Sequence, residues 1–253
     1  MKTKTFTVMA SLILAVSSFP PLEGAGLHSE ERSPFYISLG IGVNHRKDAQ
    51  DEPARLSFDP GYVACAAVGA RLERLENAFL RNLRFEFEYT YQTNDADEIE
   101  LRLGRNGPLS NNPEPAQGRI SLESMQVLLC YDFPLRQLPS VENKTFLNRL
   151  IPFLGLGLGM TEVHVDGLGS PTLDSLAALY LGRDHFDMEA DSDYALCYSA
   201  RTGLAYEINP HWEVYLAWVY LKTNSMAIKD PFGDTNHPKA ETWSALTGAR
   251  FSF

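Results

Sequence analysis

The chain has 253 residues and is acidic, with 32 Asp and Glu residues against 22 Lys and Arg and a formal net charge of −10 at pH 7. This charge argues against nucleic-acid binding, which needs a basic face. No apolar run reaches the roughly 18 residues that a transmembrane helix needs, so the sequence predicts no such helix. Aromatic residues are nevertheless plentiful, at 11% of the chain.

The N-terminal residues have the pattern of a secretory signal peptide. Lys2 and Lys4 form a basic region, Val8–Val16 forms a short apolar core, and small residues follow at Gly24–Gly26, as at a cleavage site. We therefore predict that residues 1–26 are a signal peptide and that residues 27–253 form one domain. Export, many aromatic residues and no predicted spanning helix together indicate a secreted β protein or a transmembrane barrel.

The strongest pattern along the chain is an alternation of apolar and polar residues. In NLRFEFEYTYQ at Asn82–Gln92, large apolar residues take every second position and Arg84, Glu86 and Glu88 lie between them. About ten residues are enough to cross a bilayer as a tilted strand. Eight stretches of this kind predict strands, in chain order, at Pro34–Asn44, Gly61–Glu73, Asn82–Gln92, Arg119–Phe133, Ile151–Val163, Tyr194–Ile208, His211–Lys222 and Glu241–Phe253.

The connections between the predicted strands alternate between two kinds. The connections Arg74–Arg81, Pro134–Leu150 and Asn209–Pro210 are the shorter set on average. The longer set is rich in Asp, Asn, Pro and Gly and comprises His45–Pro60, Thr93–Gly118, His164–Asp193 and Thr223–Ala240. Short turns on one side and long loops on the other are typical of bacterial outer-membrane barrels. Within one long loop, Thr172–Leu181 predicts a short helix capped by Thr172.

Each predicted strand has one bulky, largely aromatic face and one face of small and charged residues. The interior of an eight-stranded barrel barely accommodates side chains, so the bulky face would overfill it. If the bulky face meets lipid, the lumen holds four arginines and four glutamates: Arg71, Glu73, Arg84, Glu86, Glu88, Arg201, Glu207 and Arg250. Buried charges need partners, so we expect these residues to form ion pairs. A soluble lipocalin-type barrel, with its apolar face inside, is the alternative structural class.

The three cysteines Cys65, Cys130 and Cys197 are widely spaced and match no zinc or redox motif. Each lies inside a predicted strand. In an oxidising compartment, two of them could form a disulfide and leave one free thiol. Alternatively, all three are small buried side chains.

Five segments, taken in order, resemble one known family. FEFEYTY, LLCYDF, IPFLGLGLG, GLAYEINPHWEV and ARFSF together resemble the opacity-type, OmpA-like eight-stranded barrels of Gram-negative bacteria, over nearly all of residues 27–253. The resemblance implies an all-β, antiparallel, up-and-down transmembrane barrel in the outer membrane, in contact with lipid and lipopolysaccharide. It also implies that the last strand, with Phe251 and Phe253, is the sorting signal read by the barrel-assembly machinery.

The expected role is structural or adhesive, with long acidic loops that meet host surface molecules, in a monomer without a cofactor. A small porin is one alternative, although ion pairs in so narrow a lumen predict low conductance. A lipid A-modifying enzyme is another, and it would need a Ser, His and acid set near the membrane surface. No catalytic pattern joins the six histidines, and Asp184, His185 and Asp187 lack metal-ligand spacing. The sequence therefore predicts no enzyme and no metal site.

Overall fold

The computed structural model describes residues 33–51, 54–72, 75–77, 79–101, 113–133, 135, 146–182, 184, 193–225, 228–229, 235–236 and 239–253. The predicted signal peptide and Glu73 lie outside these residues. The strands and the helix are, in chain order, β1 Phe35–Arg46, β2 Ala49–Asp51, β3 Ala54–Phe58, β4 Gly61–Arg71, β5 Leu83–Leu101, β6 Glu114–Pro115, β7 Gln117–Asp132, β8 Leu150–Gly169, α1 Pro171–Leu181, β9 Asp193–Glu207, β10 Trp212–Thr223, β11 Ile228–Lys229, β12 Thr235–Asn236 and β13 Glu241–Ser252.

Eight of these strands close into an antiparallel barrel. Around the ring the order is β1, β13, β10, β9, β8, β7, β5 and β4, and β4 returns to β1. The first and last strands form the seam, where Tyr36 pairs with Ser252 and Arg46 pairs with Thr242. The predicted eight-stranded, up-and-down barrel is therefore confirmed. The short strands β2, β3 and β6 extend the sheet beyond the barrel along the outer part of β5.

The barrel wall has the sidedness that the alternation predicts. On the outside, Ile41 and Leu156 are 67% and 66% exposed, and they belong to apolar rows on neighbouring strands. On the inside, Glu86 and Arg201 are buried. An apolar exterior around a charged interior is the reverse of a soluble barrel, so the lipocalin alternative does not fit. No helix among the described residues combines the length and apolarity needed to span a bilayer.

Two strands continue well past their predicted ends. The strands β5 and β8 have 19 and 20 residues, whereas β1, β10 and β13 each have 12. The added residues, such as Asn94–Leu101, carry polar side chains on both faces, so they show no alternation. They form strands because they pair with neighbouring strands. The added part of β5 pairs with β3 and β6, and the added part of β8 pairs with the start of β7.

The helix α1 is present, but its predicted cap is wrong. Ser170, one residue before the helix, accepts a hydrogen bond from the backbone N–H of Leu173 at 3.3 Å. Pro171 occupies the first helical turn, where its missing N–H is no loss, and this moves the helix start upstream of Thr172. The Thr172 hydroxyl instead donates to Glu114 on β6 at 2.7 Å, and so holds the helix to the sheet.

Candidate functional site

The end of the barrel with the shorter connections contains a buried charge network centred on Glu86. Arg84 approaches Glu86 at 3.4 Å, Arg201 at 3.3 Å and Arg250 at 3.8 Å. Tyr36 also donates its hydroxyl hydrogen to Glu86 at 2.7 Å. One carboxylate therefore contacts three guanidinium groups, and these contacts connect strands on opposite sides of the lumen.

The network continues in both directions from Glu86. Arg201 also binds Glu88 on the same strand, and Arg84 lies 3.3 Å from Asp132. At its other edge, Glu213 lies 3.5 Å from Arg250 and 2.7 Å from Arg71. Every arginine in this half therefore has at least one carboxylate within 4 Å among the described residues, which is the condition for retaining charges in a dry interior.

Aromatic rings and glycines fit the guanidinium groups into the narrow lumen. The Phe153 ring lies 4.8 Å from Arg84 and 5.0 Å from Arg250, and such stacking is favourable for weakly hydrated arginine. Gly155 leaves the room that Arg201 needs, because a Cβ atom there would lie 2.6 Å from the Cys130 sulfur and 3.0 Å from the Arg201 Cγ. The size of these two side chains therefore explains why position 155 is a glycine.

Six of the eight residues predicted for the lumen belong to this network, namely Arg71, Arg84, Glu86, Glu88, Arg201 and Arg250. Glu207 lies half-buried near the end of β9, and Glu73 is not among the described residues. Sequence reasoning missed Glu213 and Asp132 as members of the network. Both occupy inward positions of the alternation, so the same pattern could have identified them.

Among the described residues, the other half of the lumen is lined by uncharged polar side chains, by apolar side chains such as Leu122 and Val163, and by one arginine, Arg46. Its hydrogen bonds join neutral groups on different strands, and three representative contacts are Asn44 with Asn94 at 3.0 Å, Ser124 with Thr161 at 2.8 Å, and Ser199 with Gln126 at 2.6 Å. We call this region the outer polar layer. It lies between the charge network and the end of the barrel that carries the longer connections.

Beyond the barrel, the longer connections build a small folded unit, here called the outer platform. It consists of β2, β3, β6, α1 and the outer part of β5. Its own apolar core is formed by Leu56, Phe58, Ala96, Ile99, Ala116, Leu173 and Ala177. The helix is fixed to β6 because Ser170 and Thr172 each donate to one oxygen of Glu114, at 2.6 Å and 2.7 Å.

The platform presents both charged and apolar groups to solvent. On its hairpin, Asp48 accepts a hydrogen bond from Arg55 at 2.7 Å, and this contact raises the pKa of the Arg55 guanidinium. On α1, Leu179 and Tyr180 are 74% and 71% exposed and face away from the platform core. Two adjacent, large apolar side chains on an ordered helix are a feature of binding surfaces.

Among the described residues, the remaining reactive side chains include three cysteines and His164. Cys65, Cys130 and Cys197 are buried free thiols on the inner face of the barrel, so the structure has no disulfide among them. His164 lies on the outer wall, 3.9 Å and 3.8 Å from Glu123 and Glu162. Across the described part of the chain, no three His, Cys, Asp or Glu side chains are arranged to hold a metal ion.

Aromatic residues cluster at both ends of the apolar band on the outer wall. Near the longer connections, Tyr220 and Trp243 lie 4.5 Å apart between ring centroids. Near the shorter connections, Trp212 and Phe251 lie 5.0 Å apart, and Phe251 contacts Phe253 edge-on at 5.5 Å. Amphipathic rings at these two levels mark the two interfaces of a membrane.

A closed antiparallel barrel with an apolar wall, aromatic girdles and a charged lumen is a transmembrane β-barrel. The chain belongs to the family of the outer membrane protein beta-barrel domain, whose family model matches residues 6–251. The protein is accordingly located in the bacterial outer membrane, and its longer connections lie on the extracellular side, as in other barrels of this kind. The end with the shorter connections is then the periplasmic end.

The chain is similar to several solved structures of outer membrane proteins. A major outer membrane protein from Thermus thermophilus is similar with a TM-score of 0.51 at 12% identity, over 87% of this chain and 98% of that chain. Neisserial surface protein A has a TM-score of 0.49 at 15% identity, over 88% and 100% of the two chains. OprG from Pseudomonas aeruginosa has a TM-score of 0.48 at 14% identity, over 88% and 97%. No curated protein sequence matches the chain.

Proposed function

We propose that the protein is a surface protein of the outer membrane that acts by contact, through the outer platform, in adhesion or envelope architecture. The observation that carries this proposal is the separate apolar core of the platform, which includes Leu56, Phe58 and Leu173. A loop that only connects two strands needs no core, whereas an ordered binding surface does. The partners would be host surface molecules, together with the lipid and lipopolysaccharide around the barrel.

The charge network supports a contact role over transport. Side chains of Arg84, Glu86, Arg201 and Arg250 fill the periplasmic half of the lumen and bind one another across it. An eight-stranded barrel leaves little space beyond its own side chains. We therefore expect low conductance in planar bilayers. The aromatic contacts of Phe251 and Phe253 near the seam are compatible with a role in recognition by the barrel-assembly machinery.

The proposal can be tested by attachment of bacteria that display the full chain to cultured epithelial cells. We expect the double variant Leu179→Ser, Tyr180→Ser to reduce attachment severalfold, because it removes the exposed apolar pair. Leu173→Ala should do the same by loosening the platform core. Heat-modifiable electrophoretic migration checks that each barrel is folded, and Glu98→Gln on the platform surface is the matched control.

Unchanged attachment in both variants, with folded barrels, would contradict the proposal. A large, reproducible conductance of the purified protein would instead support the small-porin alternative. Chemical change in lipid A after incubation with the purified barrel would support the lipid A-modifying alternative.

A further inference from the structure

Arg46 lies at the extracellular end of the lumen and differs from the arginines of the charge network. It ends strand β1, directly opposite Thr242 on β13, and is 3% exposed. The ring of Phe58, from the outer platform, covers its guanidinium group at 5.1 Å from the Cζ atom. Arg46 is therefore enclosed between the outer polar layer and the platform core.

No carboxylate contacts Arg46 among the described residues, and its Nε and Nη2 atoms have no hydrogen-bond acceptor there. The acidic residue next to Thr242 in sequence, Glu241, is engaged on the outer wall by Lys47 at 3.7 Å and Lys222 at 3.8 Å. A buried charge without a partner costs several kcal/mol, roughly, unless something else compensates it. The described residues therefore place no negative charge beside the buried guanidinium group of Arg46.

Hydroxyl groups at the same end of the lumen also lack hydrogen-bond partners among the described residues. Two hydroxyl groups on β13, those of Thr242 and Ser244, are buried without a hydrogen-bond partner among the described residues. Thr242 pairs with Arg46 and Ser244 pairs with Asn44, so both hydroxyls line the same end of the lumen. Hydroxyls can donate to an anion, and buried polar groups of folded proteins are rarely left unsatisfied.

The unpartnered atoms of Arg46 also define the shape of the missing group. Nε and Nη2 form one side of the guanidinium fork, whose two parallel N–H bonds match two oxygens of a carboxylate or phosphate. The barrel wall separates the site from the bilayer, so a lipid headgroup cannot reach it without entering the lumen. A ligand for this site is therefore a small solute rather than a lipid.

We propose that Arg46, with the hydroxyls of Thr242 and Ser244, forms a binding site for a small oxyanion, a carboxylate or a phosphate, under the outer platform. This site goes beyond the proposed contact function and does not depend on it. An ion bound there would connect β1 and β13 at the seam and lie against the Phe58 ring of the platform core.

The test is a titration of the purified full-length barrel, refolded in detergent and labelled with nitrogen-15 at arginine. Sodium acetate and sodium phosphate are added separately at constant ionic strength, and sodium chloride serves as the comparison. We expect one Nε–Hε signal to shift saturably with an oxyanion and not with chloride. The arm with the tighter binding identifies the ligand as carboxylate or phosphate.

Three variants assign the effect to the site. Arg46→Lys keeps the charge but removes the fork, so that signal should vanish and binding measured by calorimetry should weaken about tenfold or more. Thr242→Val should weaken binding severalfold while it keeps the side-chain shape. Arg119→Lys, an exposed arginine paired with Asp95 at 2.8 Å, is the matched control and should bind as the wild type does.

The proposal is overturned if the wild-type barrel shows no saturable shift, or if chloride competes equally well. It is also overturned if a folded Arg46→Lys barrel binds with unchanged affinity. If Arg46→Lys does not fold, the wild-type titration and the Thr242→Val variant still test the proposal. Unchanged binding in Thr242→Val would exclude the hydroxyl from the site and contradict the proposal.

Discussion

In the periplasmic half of the lumen, four arginines share four carboxylates, whereas the described residues of the outer half provide hydroxyl, amide and apolar side chains and a single charged group, Arg46. Glu86 contacts Arg84, Arg201 and Arg250, but Arg46 contacts no acidic side chain in the described part of the chain. Both halves must fill a cylinder of the same width. Charge pairing fixes one arrangement of side chains in the periplasmic half, whereas the unpartnered polar atoms of Arg46, Thr242 and Ser244 leave hydrogen-bonding capacity unused in the outer half.

The largest expected effect comes from breaking the centre of the charge network. Glu86→Gln removes the carboxylate shared by three arginines and leaves uncompensated charge in a buried space. We expect the free energy of unfolding to fall by about 3–5 kcal/mol, as for other buried pairs that lose one partner. Urea unfolding of the barrel in lipid vesicles, followed by tryptophan fluorescence, measures the change.

Glu76→Gln is the matched control for this change, because Glu76 is exposed in the turn between β4 and β5. Its effect should stay within about 0.5 kcal/mol. A loss in Glu86→Gln no larger than that of the control would mean that the network adds nothing to stability, and the comparison between the two halves would lose its basis.

A pair of identical substitutions compares the two halves directly. Arg201→Met leaves Glu88 without its arginine and should cost about 3 kcal/mol or more. Arg46→Met removes a charge that has no carboxylate partner among the described residues, so without added oxyanion it should change stability by less than about 1 kcal/mol, or stabilise the barrel. Both are measured by the same urea unfolding, and equal losses at the two positions would contradict the distinction.

A smaller effect is expected from packing alone. Gly155→Val places a side chain where the Cys130 sulfur and Arg201 already lie, and overpacking of this kind costs about 1–3 kcal/mol. A similar enlargement on the outer wall, Ala200→Val, adds two carbon atoms rather than three, meets lipid and should be nearly neutral. Equal stability of the two variants would show that the periplasmic half is loosely packed.

The smallest expected effect is kinetic and concerns the buried thiols. Cys197 lies in the outer polar layer beside Thr161, and Cys130 lies beside the charge network, next to Gly155 and Arg201. In barrels with a single cysteine, maleimide labelling of the native protein should be severalfold faster at Cys197, because fewer strong contacts oppose local opening there. Faster labelling at Cys130 would reverse the inferred order of rigidity.

The sequence predicted the barrel because a strand with one face in lipid and the other in the lumen must alternate between apolar and polar residues. It did not predict the outer lengths of β5 and β8 or the hairpin of β2 and β3, because outside the membrane both faces can be polar. The helix cap was placed at Thr172 rather than Ser170 because the pattern did not weigh Pro171, which fixes where the first turn can begin.

The sequence predicted that ion pairs fill the lumen, but it identified only some of the residues that form them. Arg71, Arg84, Glu86, Glu88, Arg201 and Arg250 were named because they alternate with large apolar residues. The alternation does not distinguish Arg46 from loop residues, because it follows Val43, the last apolar outward residue of β1, and lies in the predicted connection His45–Pro60. Which side chains lie near it depends on how the ring of strands closes, and no local pattern contains that information.

The seam between β1 and β13 has a consequence for biogenesis. Because Tyr36 pairs with Ser252, the cylinder cannot close until both the first and the last strand of the barrel have left the ribosome and crossed the inner membrane. Until then, two unpaired strand edges and an apolar exterior are open to other chains, which favours aggregation. The nascent protein should therefore depend on periplasmic chaperones for as long as this last ladder of hydrogen bonds is unformed.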